Sequence, residues 1–390
     1  MKKTLLMLGM AVSAAMLAIS CGKDDSVPPT ATDKEAIVER EEDKLANQQL
    51  CKPEYLGQTP MVVAYYTEYS SEIPDPNLVT HVNYAHGRFK NPKTGDGGIE
   101  IDTPSLMQKV LKLKETHPDL KVLLMIGGWG EHADGFSMMA RDPEKRTLFC
   151  NECKKHIDNY GLDGVDIDWE YPGGGPSTNG KHKDDQKNFV LVLKELRETI
   201  GDTKIISYAS YAGADYMDWK NAMLYLDYVN VMTYDMGKPP YHNSTLYKSP
   251  LTKSLSCDSA IKAHYDKGVD YKRMNLGIPF YGHGDGTIYK TDVKYNEMSA
   301  IFNAGSSSKY YGKNIRMWDD VGKVPYMVDE NGTMLLGYDD EESVAHKGRY
   351  AKDKGLLGVM FWEYRHDDKN HTLLKSVVTS IYGKADIHTN

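Results

Sequence analysis

"DGVDIDWEYP", residues 163–172, sets Asp166, Asp168 and Glu170 at every second position of a short stretch whose other members include Val165, Ile167 and Trp169. Side chains alternate between faces along a strand, so the three acids share one face at spacings of roughly 6 to 7 Å. Like charges that close raise one another's pKa values, and more so when the face is sheltered from water. A solvated edge strand carries such charges cheaply, but in polar surroundings of mixed sign. Here the opposite face is wholly apolar. Gly161 and Gly164 bound the stretch on one side, and Pro172 with three glycines ends it on the other. The pattern predicts a buried strand whose acidic face runs into a flexible loop.

The same reading finds eight strand-like runs, at 61–66, 79–86, 121–126, 164–170, 204–210, 228–235, 274–280 and 356–363. Amphipathic segments separate them at about 104–116, 142–160, 184–200, 215–226, 256–267 and 341–354, with a last one at 371–382. Eight apolar strands alternating with helices predict an α/β fold, a closed parallel (β/α)8 TIM barrel with functional residues at the carboxyl ends of its strands. Glu170 falls at such an end, on the fourth strand. Residues 283–336, between strands seven and eight, exceed what a βα unit requires. They are expected to form a short α+β insertion, with a hairpin around "DENGT", walling one side of a cleft.

The chain has 390 residues, 40% of them apolar, enough for a large core. Its first twenty residues read as a secretory signal: a basic start, an apolar run, then Ser20 and Cys21. Small residues before a cysteine resemble a bacterial lipoprotein cleavage site, and "GKDD" after it resembles an acidic surface-export tag. Cys21 is then the lipidated residue, residues 21–57 a tether, and residues 58–385 the barrel. The expected location is the bacterial cell envelope, lipid-anchored at the outer-membrane surface. Loss of Lys2 and Lys3 with the leader moves the formal charge from -8 to -10, which argues against a nucleic-acid partner. Cys51, Cys150, Cys153 and Cys257 remain, with no readable pairing. "CNEC" with His156 has the look of a metal motif, but no second ligand pair accompanies it, and a helix face accounts for it.

Two chemistries suit the acids: oxygen ligation of a divalent metal, or a general acid held protonated by its neighbours. The other strand ends offer mainly aromatic rings, among them Tyr65, Trp129, Tyr171, Tyr281 and Trp362. Such faces suit stacking on sugar rings better than metal ligation.

The run "LDGVDIDWEYP" resembles the DxxDxDxE strand of glycoside hydrolase family 18, the chitinase and endo-β-N-acetylglucosaminidase family, with Asp163, Asp166, Asp168 and Glu170 matched without a gap. "VVAYY", "LLMIGGW", "VMTYD", "LGIPFYG" and "GVMFWE" follow the same pattern in order, from about residue 60 to 383. The resemblance implies that Glu170 is the general acid and then base, that Asp168 orients the substrate's acetamido nitrogen, and that Asp166 shares a proton with Asp168. It implies that the acetamido oxygen is the nucleophile, the exception noted for this family. Tyr234 would donate to that oxygen, Met232 and Asp235 would shape the subsite, Trp362 would be its floor, and Tyr65 would hold the inner aspartate. No cofactor and no metal are implied, and a monomer is expected.

Three positions depart from the pattern. Met125 replaces a serine, so Asp166 is expected to lose a hydrogen bond; His283 stands where arginine is frequent; and "MGKPPY" follows "MTYD" without the usual tryptophan. The tryptophan inside the acidic strand and "EYP" after it resemble the chitinase branch. The expected activity is retaining, substrate-assisted cleavage of β-1,4 bonds at N-acetylglucosamine, in chitin or chitooligosaccharides. The alternatives are an endo-β-N-acetylglucosaminidase acting on glycoprotein glycans and, from another class, a non-catalytic sugar-binding protein.

Overall fold

The computed structural model describes residues 56–57, 59–177 and 180–388. The leader, Cys21, Cys51 and nearly all of the tether lie outside them.

The apolar runs form β1 (Met61–Thr67), β2 (His81–Phe89), β3 (Ile99–Ile101), β4 (Lys121–Gly128), β5 (Gly164–Trp169), β6 (Ile205–Tyr211), β7 (Tyr228–Met232) and β8 (Met274–Pro279). Five further strands follow, β9 (Tyr281–Gly284), β10 (Asp292–Lys294), β11 (Ile315–Asp319), β12 (Val324–Val328) and β13 (Met334–Gly337), before β14 (Gly358–Trp362). Parallel pairing runs β1-β14-β8-β7-β6-β5-β4-β2, and β1 pairs with β2, so eight strands close a barrel. β3 adds an antiparallel edge to β2. Burial on both faces follows from closure. Met61, Val63, Met125, Tyr228 and Met360 fill the interior, while Val62, Leu124, Ile167 and Val231 meet the helices outside.

Gly164 is needed at the entry to the acidic strand: a Cβ there would stand 2.0 Å from the Ile205 carbonyl oxygen of β6. A side chain would force the two strands apart at the level that sets the register of Asp166 against Ser207.

Among the described residues the helices are α1 (Pro104–Leu111), α2 (Phe136–Ala140), α3 (Pro143–Tyr160), α4 (Asp185–Ile200), α5 (Trp219–Ala222), α6 (Cys257–Asp266), α7 (Met298–Phe302), α8 (Glu341–Lys354) and α9 (Thr372–Tyr382). Their ends follow local chemistry. Asp142 accepts from the backbone N–H groups of Glu144 and Lys145 to start α3, with Pro143 at its first turn, and Gly161 ends it at φ 71°. Asp340 and Ser343 form a reciprocal cap on α8. The helix expected over 215–226 shrinks to the single turn of α5, because Ala214 and Tyr216 take left-handed φ values of 58° and 69° and Asp218 provides the cap. Residues 68–80, joining β1 to β2, hold no helix.

β9 to β13 form an antiparallel sheet in the order β10-β9-β13-β12-β11, accompanied by α7. The hairpin expected at "DENGT" joins β12 to β13, where the Asp329 carboxylate accepts from the N–H groups of Asn331 and Thr333. Cys150 and Cys153 face the core from α3, and His156 contacts the Ile99 carbonyl oxygen at 3.0 Å, so this motif packs as a helix face. Cys150, Cys153 and Cys257 are free thiols.

Candidate active site

Asp166 and Asp168 lie inside the barrel on β5, and Glu170 follows at its carboxyl end, with fractional exposures of 0%, 4% and 7%. Each is held differently, and the difference sets its proton.

Asp166 is the deepest. Tyr65 from β1 donates to its Oδ2 at 2.7 Å, Ser207 from β6 to its Oδ1 at 2.6 Å, and Asn230 from β7 to Oδ1 at 3.1 Å. Asn275 from β8 donates to Oδ1 of the Asn230 side chain at 3.0 Å, which fixes the orientation of that amide. Burial pushes Asp166 up to about 6, with these donors pulling the other way. Met125, directly beside Asp166 in β4, supplies no hydrogen bond. The donors instead come from three other strands, so the serine-to-methionine departure leaves the carboxylate satisfied.

Asp168 has the opposite surroundings. Among the described residues none donates a hydrogen bond to it, and its Oδ1 is fully buried. Burial, then the charges of Glu170 and Asp166, push it well above the carboxylate range. At neutral pH the inner acid is ionised and the middle one keeps its proton. Glu170 is pushed up to about 7, chiefly by burial, with the charge of Asp235 adding to it. A carboxyl group poised near neutrality at a strand end is suited to giving a proton and taking it back.

Gly127 and Gly128 end β4 beside the acids. A Cβ on Gly127 would approach the Asp168 carbonyl oxygen to 2.2 Å, so only glycine lets these strands run so close.

The acids open into a cleft of about 780 Å³, lined by Tyr65, Trp129, Tyr171, Met232, Tyr281 and Trp362 among others. Trp362 tilts across Tyr65 at 5.7 Å between ring centres and lines the cleft with it. Tyr234 is buried, its hydroxyl meeting the Met360 sulfur at 3.8 Å, and burial keeps it firmly protonated. On one side Tyr171 stacks on Tyr216 at 5.0 Å and meets Trp129 edge-on at 6.5 Å; Trp129 is 63% exposed at the rim. On the other side Asp235 takes a left-handed φ of 57°, and its Oδ1 accepts from Tyr281 and His283, each at 2.7 Å. All of the expected barrel residues thus meet in one place, while Cys21 lies outside the described residues.

Several contributors were not singled out in the sequence: Ser207, Asn230, His86, His132, Asp292 and Lys294. Counting by twos back from Met232 reaches Asn230, a polar residue in the inward phase of an apolar strand, so that signal was present. His86, which contacts Glu68 at 3.0 Å and stacks on His132, gave no such signal. Glu68, His86 and Asp102 bring potential ligand atoms within 4.8 Å of one another, the one such grouping among the described residues. Arg88 already pairs with Asp102 there, and the acidic strand itself contributes nothing to the group.

Residues 61–367 match the family described as Glycosyl hydrolases family 18. Chitinase A1 of Niallia circulans is 31% identical over 415 residues, covering 86% of this chain, and this chain spans only 58% of that relative. Probable chitinase 2 of Drosophila melanogaster is 30% identical over 77% of this chain and 68% of its own length. Among solved structures, the Group IV chitinase of Ostrinia furnacalis in complex with allosamidin superposes with a TM-score of 0.71 at 27% identity, over 83% of this chain and 99% of that one. A family 18 N-acetylglucosaminidase from Paenibacillus barengoltzii gives 0.70 at 28% identity, over 82% and 99%.

Proposed function

The chain belongs to glycosyl hydrolase family 18, and on that premise we propose that it is a retaining, substrate-assisted hydrolase of β-1,4 bonds at N-acetylglucosamine in chitin-type oligosaccharides. The observation that carries this reading is Asp168: a buried carboxyl group without a hydrogen-bond partner, beside a Glu170 poised near pH 7. An unmet buried acceptor costs free energy unless a ligand completes it. An acetamido N–H from the substrate completes it.

In this mechanism Glu170 protonates the leaving oxygen while the acetamido oxygen attacks the anomeric carbon, forming a cyclic oxazolinium ion. Asp168 accepts from the acetamido nitrogen as positive charge develops, and Tyr234 donates to the acetamido oxygen to align it. Asp166, already ionised and held by three donors, takes up the proton that Asp168 releases as Asp168 ionises. Glu170 then removes a proton from water, which opens the ring with retained configuration. Trp362 supplies the apolar floor under the reacting sugar.

The test is purified protein on chitooligosaccharides beside high-mannose and complex glycoproteins. Cleavage of the former supports the reading; glycan release without it favours the endo-β-N-acetylglucosaminidase alternative, and binding without turnover favours the sugar-binding one.

We also propose that Cys21 carries a lipid that anchors the protein to the bacterial cell envelope, at the outer-membrane surface. Membrane retention of a Cys21→Ser variant would overturn that anchor.

A further inference from the structure

His283 stands on β9 between two carboxylates that belong to different parts of the fold. Its Nε2 lies 2.7 Å from Oδ1 of Asp235, just past the end of β7 in the barrel. Its Nδ1 lies 3.0 Å from the Thr291 carbonyl oxygen and 3.0 Å from Oδ1 of Asp292, on β10 of the inserted sheet. Every partner of the ring is an acceptor. A neutral imidazole carries a single N–H, so it would turn a lone pair toward either Asp235 or the Thr291 and Asp292 oxygens. Only the doubly protonated ring satisfies both sides.

Asp235 depends on this arrangement. Its backbone is held in the left-handed region, its N–H donates to the Asn243 side chain at 2.7 Å, and its Oδ1 takes both Tyr281 and His283. The carboxylate lines the cleft, and its second oxygen has no partner among the described residues. That oxygen is available to a sugar hydroxyl.

We propose that His283 is a proton-dependent latch: as a cation it ties Asp235 to the inserted sheet and completes the sugar-binding wall of the cleft, and its deprotonation loosens that wall. It is a positioning residue, acting through Asp235, and the proposal rests on the glycosidase reading above. Losing the proton to solvent breaks either the barrel contact or the insertion contact, so substrate affinity weakens, while Glu170 feels the change only through the charge of Asp235.

The surroundings favour the cation. Asp235 from the segment after β7 and Asp292 from β10 face the ring, Tyr281 meets it edge-on at 5.6 Å from its own strand, and Lys294 lines the same cleft. His366 faces Tyr281 on its far side, and β13, paired with β9 at Gly337, carries no titratable residue. Burial pulls the imidazole down, but the contacts with Asp235, Thr291 and Asp292 outweigh it, and its pKa ends above the usual histidine value.

The experiment measures kcat and KM against pH on a soluble chitooligosaccharide, together with the His283 ring proton shift by NMR. KM of the native chain is expected to rise on the order of tenfold as the NMR titration of His283 passes its midpoint, the scale of one charge-assisted hydrogen bond. Asp235→Asn should move that midpoint down. His283→Arg, permanently cationic, should remove the KM rise, whereas His283→Gln should raise KM at every pH and flatten its profile. A KM independent of His283 titration, or an NMR midpoint unmoved by Asp235→Asn, overturns the latch. Absence of hydrolysis at every pH would instead overturn the glycosidase reading, and the NMR arm would still judge the latch.

Discussion

The Tyr65 hydroxyl donates to Oδ2 of Asp166 at 2.7 Å, across 101 residues of sequence, and it joins the first strand of the barrel to the acidic strand at a fully buried level. Tyr65→Phe leaves that oxygen without a donor while preserving the ring under Trp362. It is expected to cost about 1 to 3 kcal/mol of stability. Thermal unfolding above pH 7, where Asp166 is ionised, should show the loss, and near pH 4 the loss should shrink because a protonated Asp166 needs no such donor.

Glu170→Gln is expected to lower kcat by about two to four orders of magnitude with substrate binding retained, the scale of general acid catalysis. Turnover near the native rate would remove Glu170 from the mechanism.

The acid form of Glu170 is the working one at the first step, so kcat should fall as pH rises through about 7. The same shift has a stability sign. A buried carboxyl group whose folded pKa is raised binds protons more tightly in the folded state, so stability is fully present below the unfolded value and is lost as pH rises through the folded one. Glu170→Gln should therefore melt higher than the native protein at pH 8, with the gap closing near pH 4. An equal gap at both pH values would contradict the raised pKa.

Asp168→Asn tests the acetamido partner. It should lose much of kcat with Glu170 intact, because developing positive charge loses its counter-charge. Substrates deacetylated at the reacting sugar should resist cleavage, a thiazoline mimic of the cyclic intermediate should inhibit, and the first product should be the β-anomer. Equal hydrolysis of a plain glucose polymer, or an inverted product, rules the mechanism out.

Lys347 probes the scaffold instead. Its buried ammonium group donates to both Asp339 oxygens at 2.7 Å and to Ser244 at 2.8 Å, tying α8 to the segment after β7. Lys347→Met strands a buried carboxylate and should cost about 3 to 5 kcal/mol, read as a lower Tm. KM of the remaining folded protein should stay unchanged; a selective rise in KM would mean the pair also shapes the cleft.

Most of the fold was legible in the chain because a closed parallel barrel buries both faces of each strand, and continuous apolar runs bounded by breakers are easily seen. The helix expected at 215–226 failed for a tertiary reason. Tyr216 leaves helical geometry and stacks on Tyr171 beside the cleft, a contact between positions 45 apart that no local reading reveals. Asn230 was recoverable by strand phase, whereas His86 and Asp292 carried no pattern of their own.

The sequence by itself determined the acidic strand, its place at a carboxyl end and the order of the barrel strands, since alternation, breakers and motif spacing are properties of neighbours along the chain. Only the tertiary structure decided which acid keeps its proton. Asp166 and Asp168 are the same residue type two positions apart, yet one receives donors from β1, β6 and β7 and the other receives none. Those donors come from strands that meet β5 only when the barrel closes, and a carboxyl pKa answers to distances in space, whatever the separation in sequence.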